Sequence, residues 1–397
     1  MFARRTGWNL TTNRYTEAIN AHRRSGREFL DLTASNPTTI GLSYRPEEWL
    51  RALAQPRSLT YEPVAKGLLS AREAVAEYYV KKGSAVSPED FVLTTSTSEA
   101  YSFVFRLLCD PGDVVLVPIP SYPLFAFLGD LNDIRLLPYE LLYDHGWQVD
   151  FGSLRSAIEN AGAPGGRCRA VLVVHPNNPT GSFLKARELE ELNRLCREHA
   201  IAIVADEVFL DYSLLSDAPI SFSSNNDVLT FTLSGLSKVS ALPQMKLGWI
   251  AATGPGDLKT DALGRLEVIA DTYLSVNTPI QLAARAMLDE RHSIQPQLAR
   301  RIRQNLKVLD AALQSSSVCE RLSLEGGWYS VLRVPALLSD EELAISLLQG
   351  TGVLLQPGHF YNFPGVGYLI VSLITPSEEF ADGIGRALGF FENQARL

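Results

Sequence analysis

The stretch AVLVVHPNNPTG (170–181) begins with five apolar residues and ends in a cluster of turn-forming residues. Two later stretches, AIVADEVF (202–209) and LTFTLSGLSK (229–238), repeat this order of apolar run followed by polar residues. Between the first two lies a segment with amphipathic helical spacing, residues 184–199. Short β-branched runs that alternate with such helices are typical of a parallel sheet covered by helices.

The same alternation extends outward on both sides of these stretches. Residues 70–80 have helical spacing, and residues 114–117 and 247–252 read as further buried strands. We therefore predict an α/β fold whose large domain, residues 42–285, has a mostly parallel sheet covered by helices. After residue 285 the pattern changes to a charged helix at 297–314, followed by mixed strands and helices. A smaller α+β domain is predicted there, built from residues 1–41 and 286–397.

Composition narrows the functional classes. Of the 397 residues, 46% are hydrophobic and 20% charged, which is ordinary for a soluble globular protein. The net charge of −8 argues against binding to nucleic acid or to an anionic membrane surface. The four cysteines are scattered and show no spacing typical of a metal site, so no metal is expected. Without a secretory signal or a membrane-spanning run, we expect a cytoplasmic protein.

Four polar or aromatic residues stand just beyond predicted strand ends, where open parallel sheets bind ligands. They are Tyr122, Asn178, Asp206 and Lys238. Taken singly, each has an ordinary structural interpretation as a helix cap, a turn or a solvated loop. Together they suit pyridoxal-5′-phosphate (PLP) chemistry, in which a lysine amine forms a Schiff base with the cofactor aldehyde. A carboxylate keeps the pyridine nitrogen protonated, while an amide and an aromatic ring orient the cofactor.

These residues resemble those of the fold-type I PLP-dependent aminotransferases, the class I and II group that includes aspartate and tyrosine aminotransferases. The similarity runs from about residue 31 to residue 376. It implies that Lys238 is the Schiff-base lysine and proton shuttle, and that Asp206 contacts the pyridine nitrogen. It also implies that Tyr122 stacks on the cofactor ring and that Asn178 donates to the ring 3′-oxygen.

The resemblance assigns a second group of residues to the cofactor phosphate. Thr97 and Ser98, in TTSTSEA (94–100), match a phosphate-binding turn at a helix start, where free N–H groups favour an anion. Ser237 is expected to contact the cofactor, and Lys246 stands where the family usually has a phosphate-binding arginine. Tyr61, in YEPVAKGLLSAREAVAEYY (61–79), matches a tyrosine that reaches the partner subunit's cofactor. A homodimer is therefore implied.

The sequence departs from the family pattern at several positions. Phe209 replaces a tyrosine that donates to the ring 3′-oxygen, and Gly235 replaces a serine that touches the phosphate. Lys246 keeps the charge of the usual arginine without its bidentate geometry. In GYLIVSLITPSEE (367–379), Ile370 stands where the family has the arginine that grips the substrate carboxylate.

Three alternatives follow for the substrate carboxylate. Another cation could hold it, either His359 or one of three arginines near the N-terminus: Arg4, Arg5 and Arg14. Neutral donors such as Asn36 could hold it, or the substrate could be an amine that has no carboxylate at this place. The aromatic residues that follow His359 in QPGHFYNF (356–363) are expected to pack in the core or the loop rather than to form a substrate pocket.

The leading functional hypothesis is an aminotransferase that moves an amino group between an amino acid and a 2-oxo acid by a ping-pong route. The alternative is another PLP reaction on the same fold, such as a β-lyase, a decarboxylase or a natural-product cyclase. The absent arginine at Ile370 favours that alternative. The presence of Lys238, Asp206 and Asn178 argues against a non-catalytic PLP-binding protein. A nucleotide-dependent dehydrogenase is poorly supported, because this sequence has no GxGxxG motif after its first strand.

Overall fold

The computed structural model describes residues 1–162 and 165–396. Its α-helices are α1 (Arg14–Arg24), α2 (Glu47–Leu53), α3 (Leu69–Val80), α4 (Thr97–Leu108), α5 (Phe125–Leu131), α6 (Phe151–Asn160), α7 (Ala186–His199), α8 (Leu236–Val239), α9 (Gly256–Tyr273), α10 (Thr278–Asp289), α11 (Arg291–Leu313), α12 (Asp340–Thr351) and α13 (Ser377–Gln394). Its strands are β1 (Leu30–Asp31), β2 (Phe91–Thr94), β3 (Val114–Ile119), β4 (Arg135–Tyr143), β5 (Trp147–Val149), β6 (Cys168–Val174), β7 (Ala202–Asp206), β8 (Thr230–Gly235), β9 (Gly248–Thr253), β10 (Glu320–Arg321), β11 (Tyr329–Arg333), β12 (Val353–Leu354), β13 (Gln356–Pro357) and β14 (Tyr368–Ser372).

The larger sheet has eight strands in the order β2-β9-β8-β7-β6-β3-β4-β5. The pairs from β8 to β4 are parallel, whereas β9 and β5 pair antiparallel with their neighbours. From β3 the chain goes to β4 on one side and returns to β6 on the other, so the strand order reverses at β3. Such a reversal leaves a crevice beyond the carboxyl ends of the strands, where ligands bind. The predicted α/β fold with a large, mostly parallel sheet is confirmed.

Helices cover both faces of this sheet, and the strand sequences reflect it. Val114 and Leu116 of β3 pack among side chains of α6 and α7. Val115 and Val117, which point to the other face, pack among side chains of α4 and α9. A strand that is covered on both faces needs apolar residues at every position. This explains the continuous apolar runs from which the strands were predicted.

A smaller sheet, in the order β10-β11-β14-β13, lies in the C-terminal part of the chain. Residues near the N-terminus pack with this part, because Leu30 of β1 pairs in parallel with Val353 of β12. The Tyr15 hydroxyl also donates a hydrogen bond to the Leu355 carbonyl at 2.8 Å. The boundaries at residues 41/42 and 285/286 stay predictions.

The predicted helices at 70–80, 184–199 and 297–314 correspond to α3, α7 and α11. Helix α11 begins earlier than predicted, at Arg291, and contains Pro296, a residue that sequence patterns treat as a boundary. In the described part of the chain, none of the helices has the length and hydropathy that crossing a bilayer requires. Cys109, Cys168 and the other two cysteines are free thiols.

Candidate active site

A cavity of about 330 Å³ opens where the parallel strands of the larger sheet end. Six residues predicted from sequence line it: Thr97, Tyr122, Asn178, Asp206, Ser237 and Lys238. Each of them ends a strand or follows one, namely β2, β3, β6, β7 or β8. The parallel arrangement therefore brings together side chains that are far apart in sequence.

Asp206 is the last residue of β7 and is only 7% exposed. The Tyr101 hydroxyl donates to its Oδ2 at 2.7 Å, and the Val208 N–H donates to its Oδ1 at 3.0 Å. Burial raises the pKa of this carboxyl group, although both hydrogen bonds and the charge of Lys238 oppose the rise. A cation bound against Asp206 would hold it ionised, which is the environment that a protonated pyridine nitrogen supplies.

Lys238 lies in the short helix α8 that follows β8. Its Nζ is 4.5 Å from the ring centroid of Trp328 and 5.4 Å from that of Phe209. Its nearest polar contact is a weak one, at 3.5 Å, to the Ser35 carbonyl. Burial lowers the pKa of this amine to about 8, although the charge of Asp206 favours the protonated form. A substantial neutral fraction near physiological pH suits a nucleophilic lysine.

Two neighbouring asparagines differ in how their amides are used. Asn177 donates to the Pro120 carbonyl at 3.0 Å and accepts from the Ser121 hydroxyl at 2.8 Å, so it holds the loop together. Among the described residues, neither the buried Oδ1 of Asn178 nor its Nδ2, the donor end of the amide, makes a hydrogen bond. Buried amides are normally satisfied. The side chain of Asn178 is therefore available for a ligand in the cavity.

Helix α4 presents its N-terminus to the cavity through Thr97. The helix is capped by Ser96, whose Oγ accepts from the Glu99 N–H at 3.2 Å, and Glu99 accepts in turn from the Thr95 N–H at 2.6 Å. The N–H groups of Thr97 and Ser98 have no intrahelical acceptor because they belong to the first turn. They are suitably placed for an anion such as a phosphate.

Gly235, at the end of β8, and Lys246, two residues before β9, both differ from the family pattern. A Cβ atom at Gly235 would come within 2.8 Å of the Leu247 carbonyl oxygen and 3.1 Å of the Gly248 Cα. The close approach of β8 and β9 therefore leaves no room for a serine. Lys246 has a left-handed backbone (φ 53°) and an exposed side chain. No carboxylate of the described chain pairs with it, and it does not line the cavity.

The smaller sheet supplies the opposite wall, which the sequence analysis missed. Tyr329, Gln356 and Tyr361 all line the cavity. The expectation that the aromatic residues after His359 serve packing fits Phe360 and Phe363, which contact Tyr15 and Tyr368 respectively. Tyr361 does not fit it, because its side chain reaches the cavity. The sequence did contain one indication of this difference, because Tyr361 carries a hydroxyl group that Phe360 and Phe363 lack.

The residues suggested for the substrate carboxylate lie outside the cavity lining. Asn36 caps a short helix, because its Oδ1 accepts from the Thr38 N–H at 3.0 Å. His359 is exposed, and its ring packs against Phe360 at 4.6 Å between centroids.

The N-terminal arginines are also remote from the cavity lining. Arg5 pairs with Asp133, and Arg14 is 66% exposed beside Glu341. Arg4 is exposed in a short helix that precedes α1. The structure thus does not bring any of the suggested cations to the cavity.

The segment around Tyr61 is likewise outside the cavity. Tyr61 is 73% exposed. Arg72, from the same sequence motif, is buried and donates to the carbonyls of Gly67 and Pro88 at 3.0 and 2.8 Å. Arg72 therefore braces the segment, while the Tyr61 ring projects from the surface of the chain.

The cavity residues fit pyridoxal phosphate. They offer a partly neutral amine, a buried carboxylate, an amide without a partner and a helix N-terminus open to an anion. Tyr122 adds an aromatic side chain, 41% exposed, at the mouth of the cavity.

Comparisons with known proteins identify the family of the chain. The sequence model of aminotransferase class I and II matches residues 27–378. The alanine aminotransferase of Mycobacterium tuberculosis is 29% identical over 378 residues, covering 92% of this chain and 86% of that protein. The glutamate-pyruvate aminotransferase AlaA of Escherichia coli is 31% identical over 278 residues, covering 68% of this chain and 65% of that protein.

Solved structures show the same fold. The alanine aminotransferase from Pyrococcus furiosus superimposes with a TM-score of 0.87 at 23% identity, covering 99% of this chain and 100% of that one. A mutant aspartate aminotransferase of Thermus thermophilus superimposes with a TM-score of 0.83 at 25% identity, covering 97% of this chain and 98% of that one. The family match and the two sequence relatives support amino transfer over the lyase, decarboxylase and cyclase alternatives. Class I and II aminotransferases use pyridoxal phosphate. Because the family model matches most of its length, this chain belongs to the aminotransferase class I and II family and is an aminotransferase.

Proposed function

We propose that this aminotransferase binds pyridoxal phosphate in the cavity through Lys238 and moves amino groups between an amino acid and a 2-oxo acid. One observation carries the proposal: Lys238, with its lowered pKa, and the buried Asp206 line a single cavity. When bound, the cofactor supplies an electron-withdrawing ring that stabilises negative charge on the substrate's Cα. The chain's own residues supply binding, orientation and proton transfer.

Lys238 has two roles in this proposal. Its neutral amine is the nucleophile that holds the cofactor, and burial keeps a neutral fraction available. With substrate bound, Nζ would act as the base that removes the proton from the substrate's Cα. The Tyr212 hydroxyl donates to the Lys238 carbonyl at 2.6 Å, which fixes the backbone from which this side chain extends.

Asp206 and Asn178 would orient the cofactor ring. The Tyr101 and Val208 hydrogen bonds fix the plane of the Asp206 carboxylate, so it would meet a ring nitrogen without rearrangement. Asn178 would donate to the ring oxygen, and Tyr122 would cover one face of the ring. Because Phe209 has no hydroxyl, this chain gives the ring oxygen one donor fewer than the family pattern.

The phosphate would lie against the start of α4. The free N–H groups of Thr97 and Ser98 and the hydroxyl of Ser237 are its proposed partners. Lys246, whose exposed side chain lies outside the cavity lining, is proposed to add its positive charge. A point charge on a flexible side chain holds a phosphate with less geometric specificity than an arginine does. Cofactor affinity is therefore expected to depend strongly on salt concentration.

We also propose a homodimer in which Tyr61 reaches the partner's cofactor, with residues 42–285 as the cofactor domain. The 73% exposure of the Tyr61 ring supports the dimer, because a large aromatic side chain is more often buried. Light scattering tests this proposal directly. A monomeric mass for the active species would contradict it.

The free thiols of all four cysteines suit a cytoplasmic enzyme.

The first substrates to try follow from the relatives. Their names include alanine and glutamate-pyruvate aminotransferases, so we propose L-alanine with 2-oxoglutarate and L-glutamate with pyruvate. The purified protein, loaded with pyridoxal phosphate, is mixed with single L-amino acids without any acceptor. Visible absorbance and the released 2-oxo acid are recorded together, with Lys238→Ala as the control.

Amino transfer predicts that one donor bleaches the visible band and releases one equivalent of 2-oxo acid per site. Addition of a 2-oxo acid should then restore the band. If ammonia or carbon dioxide instead accumulates over many turnovers, the protein is not acting as an aminotransferase.

A further inference from the structure

The wall of the cavity that the smaller sheet builds carries neutral polar side chains around Ile370. Gln356 of β13 is paired with Ile370 of β14, and Tyr329 of β11 is paired with Ser372, two residues further along β14. Side chains that alternate along a strand point to the same face, so Ile370, Gln356 and Tyr329 share one face of the sheet. Two of them, Gln356 and Tyr329, line the cavity.

The amide of Gln356 is held in a defined orientation. The Tyr361 hydroxyl donates a hydrogen bond to Gln356 Oε1. Because Oε1 is occupied in this way, Nε2 is the end of the amide that remains for other partners. Within residues 1–162 and 165–396, Nε2 makes no hydrogen bond. A donor with both of its hydrogens free therefore lies on the cavity wall.

Cations are scarce in this cavity. Among the described residues that line it, Lys238 is the single cationic side chain, and it is engaged by the cofactor under the proposed function. Arg301, on α11, donates instead to the carbonyl of Ile40 and lies outside the lining. A carboxylate at this wall would thus be met by neutral donors.

We propose that Gln356, oriented by Tyr361, binds the substrate carboxylate through Nε2 and determines specificity at this end of the substrate. The inference rests on the proposed function and specifies how its substrate is recognised. A neutral donor gives a weaker hydrogen bond to a carboxylate than a guanidinium does. The enzyme accordingly discriminates only weakly between an amino acid and its primary amide, which presents a carbonyl oxygen at the same place.

The test introduces a negative charge at the proposed contact. Gln356→Glu is nearly isosteric and still accepts from Tyr361, but it repels a carboxylate. Gln148→Glu is the matched control, since Gln148 is exposed on β5 and lies outside this cavity. Each variant is loaded with pyridoxal phosphate, and absorbance titrations give the apparent dissociation constants of L-alanine and L-alaninamide. The affinity for pyridoxal phosphate and the melting temperature are measured in parallel.

Gln356→Glu is expected to weaken L-alanine binding by about tenfold or more, because like charges in contact repel each other. In the same variant, the affinities for L-alaninamide and for pyridoxal phosphate should stay within about twofold of wild type. In the Gln148→Glu control, all three affinities should stay within about twofold of wild type. Tyr361→Phe should weaken L-alanine binding by about fivefold, the loss of one hydrogen bond.

Equal effects of Gln356→Glu on the acid and on the amide would overturn the inference, as would the absence of any effect on L-alanine. In either case a wild-type enzyme that releases 2-oxo acid leaves the proposed function intact. A wild-type enzyme that transfers no amino group from any L-amino acid overturns the proposed function itself, and this inference with it.

Discussion

The two walls of the cavity come from different sheets, and only one of them was predicted from the sequence. The wall at the end of the larger sheet carries Asp206, Lys238 and Asn178, all expected from the sequence. The wall from the smaller sheet carries Gln356 and Tyr329, neither of which was expected there. Under the proposed function, the groups for the chemistry come with the strand ends, while those for substrate choice come from a separate sheet.

The walls also differ physically. On the larger-sheet side, ionisable groups are buried and their pKa values are shifted, because the interior destabilises their charged forms. On the smaller-sheet side, the lining polar groups are uncharged. We therefore expect substitutions on the first wall to lower kcat and substitutions on the second to raise KM.

The largest effect is expected at Lys238. Lys238→Ala removes both the nucleophile and the proton carrier, so activity should fall by at least about 10⁴-fold. Steady-state assays with L-alanine and 2-oxoglutarate check this, with circular dichroism as the control for folding. Lys246→Ala, a second lysine close in sequence, should change mainly cofactor affinity. If Lys238→Ala kept more than about a hundredth of wild-type activity, Lys238 would not be the catalytic lysine.

The next effect separates the two walls. Asp206→Asn loses the charge that holds the ring nitrogen protonated, and kcat should fall by about 100-fold. Gln356→Leu removes a donor to the substrate, so KM for L-alanine should rise by about tenfold while kcat changes little. Both parameters are measured for both variants with the same substrates. A fall in kcat for Gln356→Leu equal to that for Asp206→Asn would show that the walls are not functionally distinct.

A smaller effect is expected when the pH is changed, through the amine of Lys238 on the larger-sheet wall. Burial lowers the pKa of Lys238 to about 8, so its reactive neutral form grows as pH rises and saturates above that value. The rate at which the cofactor-free protein captures pyridoxal phosphate should rise about tenfold between pH 7 and 9 and then level off. Stopped-flow absorbance follows this rate. A rate that continues to climb toward pH 10.5 would indicate an ordinary, solvated lysine.

The smallest effect concerns the close contact of β8 and β9. Gly235→Ser would place a Cβ atom 2.8 Å from the Leu247 carbonyl oxygen, so overpacking should lower stability by about 1–3 kcal/mol and Tm by a few degrees. Gly264→Ala is the control, because an added Cβ there meets nothing within 4 Å, and the change should leave Tm unchanged or raise it. Equal melting temperatures for Gly235→Ser and wild type would mean that the strands can separate.

The sequence alone predicted the larger sheet and the residues at its strand ends. Apolar runs and turn-forming residues are local signals, and a parallel sheet brings all of its strand ends to one edge. This is why the sequence is enough to predict that Asn178, Asp206 and Lys238 share a site. The absence of an arginine at Ile370 could also be read directly from the residues.

Tertiary structure decided what stands opposite those residues. Gln356 lies next to Ile370 only because β13 and β14 pair in one register, and Tyr361 orients it from the following short helix. Asn36 and His359, by contrast, are directed to a helix cap and to the surface. Strand register and side-chain direction in a small sheet depend on long-range packing, which a local pattern does not encode. The proposed catalytic residues of this aminotransferase could thus be predicted from its sequence, whereas the proposed substrate wall became apparent only in the folded chain.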